Sequence, residues 1–108
     1  MSITVQDGAL VTQPPGDKRV YTFDYDAENL PAGVLLASAG TFTITAIRPS
    51  TDTALTKDNE SLVTGSRKVQ LRLLAGTLGA KYRIDSHVTT DESPAQEKTK
   101  HFFLEIQR

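Results

Sequence analysis

The sequence lacks cysteine and tryptophan, and its charge is almost balanced. Without cysteine there can be no disulfide framework, no thiolate nucleophile and no sulfur-ligated metal site. The formal net charge is −1, with both signs interspersed, so the electrostatics favour neither nucleic acid nor an anionic membrane as a partner. No apolar run approaches the roughly 20 residues of a membrane-spanning helix, and the first residues lack the pattern of a secretory signal. We therefore expect a chain that is made and folded in a cytoplasm, or a domain of a longer protein.

The length of 108 residues fits one domain with a hydrophobic core that needs no disulfide or metal to fold. The first 17 residues read as an N-terminal arm or edge strand, because Pro14–Asp17 ends any regular element. Residues 18–108 are then expected to form the folded domain.

The strongest structural pattern lies in residues 65–90, GSRKVQLRLLAGTLGAKYRIDSHVTT. Apolar and polar residues alternate over Lys68–Leu73 and again over Lys81–Thr89, and a period of two is typical of strands with one buried face. The glycines Gly76 and Gly79 lie between the two runs and favour a tight turn. The stretch predicts a β-hairpin whose apolar face lies at the centre of the core.

Further short strands are predicted along the chain, separated by polar, proline-containing or glycine-containing turns. They are Lys18–Asp26, Val34–Ser38, Thr41–Arg48 and Thr99–Gln107, with short edge strands at Leu55 and at Leu62–Val63 and a turn at Lys57–Glu60. No segment shows helical periodicity over more than about two turns. Strands at spacings of about 10 residues indicate an all-β fold, an immunoglobulin-like antiparallel β-sandwich of about seven strands with an extended N-terminal arm.

No catalytic or metal-binding constellation is found. Alternate carboxylates at Asp24, Asp26 and Glu28 have the oxygen ligands of a calcium site, but they lack the glycine and the distal glutamate of an EF-hand loop. His87 and His101 lie on the polar faces of their strands, with no serine or aspartate placed by a motif to work with them. The expectation is a non-enzymatic protein with no cofactor and no bound metal.

Apolar residues outside the predicted core are the candidates for a protein interface. Phe103 lies on the face opposite Phe102 and Leu104, among polar residues. Two readings stay open, a small satellite core covered by a loop and an apolar patch reserved for a partner, and aromatic side chains are favoured interface anchors. The arm is the second candidate, because an extended segment can add a strand to a neighbouring subunit's sheet and order only there. The loop at Leu30–Gly33 is the third. The predicted interface residues are Ile3, Val5, Leu10, Val11, Leu30, Pro31 and Phe103.

Three segments together resemble a known family. They are FDYDAENLPAGVLLASAGTFTI at residues 23–44, VQLRLLAGTLGAKYRIDSHVTT at residues 69–90, and the closing KTKHFFLEIQR. The chain resembles the small immunoglobulin-like virion proteins of tailed bacteriophages, the fiber-tail adaptor or neck proteins, over residues 23–108. It departs from the family pattern in lacking a tryptophan in the early strands and in carrying Ser93-Pro94-Ala95 at the last turn.

The resemblance implies a structural part of the tail or neck, synthesised in the bacterial host cytoplasm and present in many copies in a symmetric ring. Its implied partners are other virion proteins, namely tail, portal or connector, and fiber proteins. Two alternatives remain open at the level of sequence. One is a capsid decoration protein of the same fold, and the other is a carbohydrate-binding sandwich, which the absence of tryptophan and the position of the tyrosines within strands disfavour.

Overall fold

A computed structural model describes residues 2–25, 30, 33–63, 65 and 67–107. These residues form eight strands. The strands are β1 (Ser2–Val5), β2 (Leu10–Gln13), β3 (Arg19–Asp24), β4 (Thr41–Arg48), β5 (Thr56–Leu62), β6 (Lys68–Leu74), β7 (Lys81–Thr89) and β8 (Glu97–Ile106). In the described ranges there is no helix long and apolar enough to cross a membrane.

The strands form two four-stranded sheets packed face to face. Sheet A has the order β1-β3-β6-β5, and sheet B has the order β2-β8-β7-β4. All pairs are antiparallel except β1 with β3 and β2 with β8, which are parallel. The all-β sandwich expected from the sequence is confirmed, with eight strands where about seven were expected. The arrangement is consistent with an immunoglobulin-like architecture.

The core lies between the sheets and consists of the alternate apolar residues that the sequence pattern marks. Tyr21, Phe23 and Phe102 are at most 1% exposed, and their rings contact each other at centroid distances of 5.1 and 5.5 Å. Each fully buried side chain of this size contributes about 1.5–3 kcal/mol through the hydrophobic effect. The predicted core face of residues 68–89 is confirmed, because all its apolar members are completely buried. They are Val69, Leu71, Leu73, Tyr82, Ile84 and Val88.

The predicted hairpin between β6 and β7 is wrong, because these two strands lie in different sheets. β6 pairs with β3 and β5, while β7 pairs with β4 and β8. The connection Ala75–Ala80 crosses from one sheet to the other. It passes close to β8, because a Cβ atom at Gly76 would lie 2.5 Å from the Ile106 side chain. A strand in either arrangement buries one face, so the period of two cannot distinguish a hairpin from a crossover.

Two further predictions of local structure differ from the model. The polar run Lys57–Glu60, predicted as a turn, lies inside β5, which bulges between Asp58 and Ser61 with Asn59 at a φ of 53°. The predicted strand Val34–Ser38 is reduced to a single bridge between Leu36 and Thr90. An edge strand with one solvent-exposed face tolerates charged residues, which explains why composition alone gave a turn for β5.

Residues 2–13 form a clasp over one side of the sandwich, which we call the N-terminal clasp (Ser2–Gln13). β1 extends sheet A and β2 extends sheet B, and the chain reverses between them at Asp7–Gly8. Gln13 is 1% exposed and accepts a hydrogen bond from the Tyr21 hydroxyl, while its amide donates to the Leu73 carbonyl. The sequence left two readings open, an edge strand of the domain or an arm that orders only against a neighbour. The structure gives both segments strand partners within the same chain.

A hydrogen-bonded latch joins two connections at one end of the sandwich. Tyr82 donates to the Asp52 carboxylate at 2.6 Å and accepts from the Thr77 backbone N–H at 3.2 Å. The hydrogen bond from Tyr82 lowers the pKa of Asp52, and burial followed by that same bond raises the pKa of Tyr82. The latch joins the β4–β5 connection to the β6–β7 connection.

We predict that the latch stabilises the protein most when Asp52 is ionised. A lowered pKa in the folded state means a contribution that is present above the unfolded pKa, near 4, and lost as the pH falls through the folded value. Tyr82→Phe should therefore reduce the free energy of unfolding more at pH 7 than at pH 3. Urea titrations at both pH values measure this, and an equal reduction at the two would contradict it.

Candidate docking surface

The outer face of sheet B brings two of the predicted interface residues together. Leu10 of β2 lies opposite Phe103 of β8, and Phe103 lies opposite Arg83 of β7. Residues opposite each other on neighbouring strands point to the same face, so these three side chains form a row across the sheet. We call this row together with Lys81 and His101 the Phe103 patch.

Phe103 is held between two neighbours that fix its ring. The Lys81 ammonium lies 5.3 Å from the ring centroid, and the His101 ring meets it edge-on at 5.4 Å and 83°. A cation over an aromatic face is worth about 0.5–1 kcal/mol at an exposed site. Phe103 is therefore a preorganised aromatic group on the surface.

The turn of the N-terminal clasp packs against the same strand and sets one border of the patch. The Asp7 carboxylate accepts a hydrogen bond from the His101 backbone N–H at 2.9 Å and lies 3.3 Å from the His101 ring nitrogen Nδ1. Gly8 donates to the His101 carbonyl, and Phe103 donates to the Ala9 carbonyl. These bonds fix the start of β2, and with it the position of Leu10.

Leu10 is the most exposed large apolar side chain among the described residues, at 55%. Together with Phe103 it forms an apolar centre with basic groups beside it, Lys81 and Arg83. Protein interfaces commonly combine an aromatic anchor with a polar rim. The arrangement is suited to binding another protein.

The other predicted interface residues are not part of this patch. Ile3 and Val11 point toward the core and are partly buried, and Val5 and Leu30 are each 5% exposed. Leu30 is also held by its carbonyl, which accepts from the Arg67 guanidinium at 2.8 Å. Pro31 lies outside the described residues. Among the predicted interface residues that the structure describes, Leu10 and Phe103 alone have side chains on the outer face of sheet B.

Sequence reasoning did not connect Lys81 and Arg83 with Phe103. Both residues were assigned to the polar face of their strand, and Phe103 was recognised as an apolar residue on a polar face. The missing information was the register between β7 and β8, in which Arg83 faces Phe103. An alternating pattern marks the face of a residue but not its neighbour on the next strand.

The described residues contain no group of three or more histidine or acidic side chains arranged to hold a metal ion. His87 lies 2.8 Å from Glu97, and both side chains are solvent-exposed. Of the alternate carboxylates considered for calcium, Asp26 and Glu28 lie outside the described residues. Asp24 is described, and its carbonyl accepts a hydrogen bond from the buried Lys100.

Comparison with known proteins gives one family. The family model described as podophage GP4 fiber-tail adaptor protein gp77 matches residues 13–105. The match contains β3–β7 entirely and nearly all of β8, while β1 lies before it. No curated protein matches the chain significantly.

Proposed function

Because the chain belongs to the podophage GP4 fiber-tail adaptor family, we propose that it docks on the tail or connector ring of a tailed-phage particle and helps to attach fibers or spikes. The family match over residues 13–105 is the observation that carries this proposal. The role is structural and non-enzymatic, and the direct partners are other virion proteins.

The Phe103 patch supplies the contact surface in this proposal. Leu10 and Phe103 provide apolar area that becomes buried on docking, and Lys81 and Arg83 provide charge at its border. An exposed apolar patch with a charged border is a common mark of a protein interaction site. The two side chains sit on paired strands of a rigid sheet, so docking requires little ordering of the adaptor.

We propose that many copies form a symmetric ring around the tail or neck of the particle. A ring presents the same surface at each position, so one patch per chain suffices for repeated docking. The protein is synthesised in the host cytoplasm and reaches its place by assembly into the virion.

A matched pair of variants tests the patch. Leu10→Asp places a charge at its centre, and Leu78→Asp makes the same change at a similarly exposed leucine, 49%, in the β6–β7 connection. Each variant is supplied in trans to a deletion mutant of the phage, which lacks the gene for this chain. We expect Leu10→Asp to reduce both adaptor copies and fibers per particle roughly tenfold, as expected for loss of an interface anchor. Leu78→Asp should assemble normally.

Quantitative mass spectrometry of purified particles counts both proteins, and thermal unfolding of the isolated variants checks that both fold. Normal adaptor and fiber content in Leu10→Asp particles would show that the Phe103 patch is not the docking surface. A particle without this chain that still carries its full complement of fibers would remove the adaptor role itself.

A further inference from the structure

The two sheets end in four edge strands, and these differ in how they are protected against pairing with another chain. β1 and β2 are four residues long, and β5 carries charges and a bulge. β4 has eight residues, TFTITAIR, and Arg48 at its end is the only charged one. Short length, charge and bulges are the usual means of protecting an edge, and β4 uses none of them over Thr41–Ala46.

The hydrogen bonds at the end of β7 show which backbone groups of β4 point away from the sheet. Thr89 accepts from Ala37, on the β4 side, while Thr90 donates to Gln96, on the β8 side. Backbone groups alternate along a strand, so odd-numbered β7 residues face β4, and their partners there are the threonines. The register pairs Thr41 with His87, Thr43 with Asp85 and Thr45 with Arg83. Phe42, Ile44 and Ala46 therefore direct their N–H and C=O groups outward.

The side chains at this edge are also incompletely covered. Ile44 and Ala46 point toward the core and pack against it, but both remain partly exposed. Thr41, Thr43 and Thr45 are exposed on the outer face. A strand added beside β4 would complete the hydrogen bonding of the edge and extend the cover over Ile44 and Ala46.

We propose that the occupant is β4 of a second copy of this chain, paired antiparallel about a twofold axis at Ile44. In that register Ile44 faces Ile44 of the second copy, and the two residues exchange both hydrogen bonds. Phe42 faces Ala46 on the core side, and Thr43 faces Thr45 on the outer side. Threonine pairs are favourable cross-strand neighbours.

The charges of the strand are compatible with this pairing. Arg48 comes opposite Gly40 of the second copy, so no like charges face each other along the paired segment. The two copies of sheet B become one continuous eight-stranded sheet. The inference concerns the isolated protein and does not depend on where the chain sits in a particle.

Analytical ultracentrifugation of the purified protein tests the pairing over a range of concentrations. We expect a species of twice the monomer mass that dissociates on dilution. Amide hydrogen exchange by NMR gives the specific signature: in the dimer, Phe42, Ile44 and Ala46 become protected. Thr41, Thr43 and Thr45 are protected in monomer and dimer alike, because they bond to β7.

Ala46→Pro removes an outward N–H without removing a bond to β7, and edge strands accept proline at such positions. Thr12→Pro is the matched control, because Ala9 and Gln13 bond to β8 and Thr12 therefore points outward from the other edge of the same sheet. We expect Ala46→Pro to raise the dimer dissociation constant roughly tenfold or more, and Thr12→Pro to leave it unchanged.

Thr43→Lys tests the same edge without altering the backbone. In the monomer the lysine faces Asp85. In the dimer, two such lysines lie diagonally across the axis, so association should weaken severalfold. A protein that stays monomeric at all soluble concentrations would overturn the self-pairing. So would a dimer unaffected by Ala46→Pro and Thr43→Lys, or β4 amides that become protected only when another virion protein is added.

Discussion

Gly40→Ala is expected to destabilise the protein by about 3 kcal/mol or more, an unusually large effect for adding one methyl group. Gly40 has a φ of 72°, and a Cβ there would collide with the carbonyl oxygen of His87. It would also lie 3.1 Å from the Cα of Val88. These are backbone atoms of β7, so no change of rotamer can relieve the contact. Relief requires separating the start of β4 from the strand beside it.

Gly79→Ala provides the control for this prediction. Gly79 also has a positive φ, 86°, but a Cβ there meets nothing within 4 Å. The control therefore isolates the conformational cost of a left-handed alanine, about 1 kcal/mol. Urea unfolding at neutral pH measures both free energies. Equal losses in the two variants would show that the contact with β7 does not carry the effect.

Gly40 also illustrates which parts of the fold follow from local sequence. A glycine before an alternating run predicts a turn, but the chain does not reverse at Gly40, because Leu36 and Thr41 both pair antiparallel with the same strand line, at Thr90 and His87. The need for glycine arises from the backbone of His87, which is 47 positions later in the chain and adjacent only after folding. The glycine is visible in the local sequence, but the reason it is needed, and the cost of replacing it, depend on tertiary contacts.

The core could be predicted because burial repeats along each strand with period two. Tyr21, Phe23 and Tyr25 alternate in the sequence, and all three are buried in the structure. The order of strands within the sheets could not be predicted in the same way. β6 and β7 have the pattern of a hairpin and are separated by six residues, yet they belong to different sheets. Alternation carries no information about which strand lies alongside.

The candidate site was predictable in part, for the same reason. Phe103 was recognised because an aromatic residue on a polar face is visible in one strand. The contribution of Leu10 depends on the parallel pairing of β2 with β8, which joins residues 93 positions apart. Val5 was assigned to an interface because its strand was read as a free arm. In the structure β1 is paired with β3, so the side chain of Val5 is core.

Gln13→Leu is expected to reduce the free energy of unfolding by about 2 kcal/mol. The side chain of Gln13 lies on β2 of sheet B and bonds to two residues of sheet A, Tyr21 and Leu73. Burial raises the pKa of Tyr21, so its hydroxyl stays protonated and donates to Gln13. Leucine has a similar volume but offers neither an acceptor nor a donor, so the buried Tyr21 hydroxyl loses its acceptor and the Leu73 carbonyl loses one of its donors. Buried polar atoms without partners cost about 1–3 kcal/mol each.

The partner variant distinguishes a lost bond from poor packing. Tyr21→Phe added to Gln13→Leu removes the orphaned hydroxyl, so the double variant should regain about 1 kcal/mol over Gln13→Leu alone. Urea unfolding of the isolated protein gives the free energies of the two single variants and of the double variant. Together with the unmodified protein, these values form a double-mutant cycle. If the first 17 residues ordered only against a neighbour, Gln13→Leu would leave the isolated protein unchanged within about 0.5 kcal/mol. A loss near 2 kcal/mol with partial recovery means that the N-terminal clasp joins the two sheets before any partner binds.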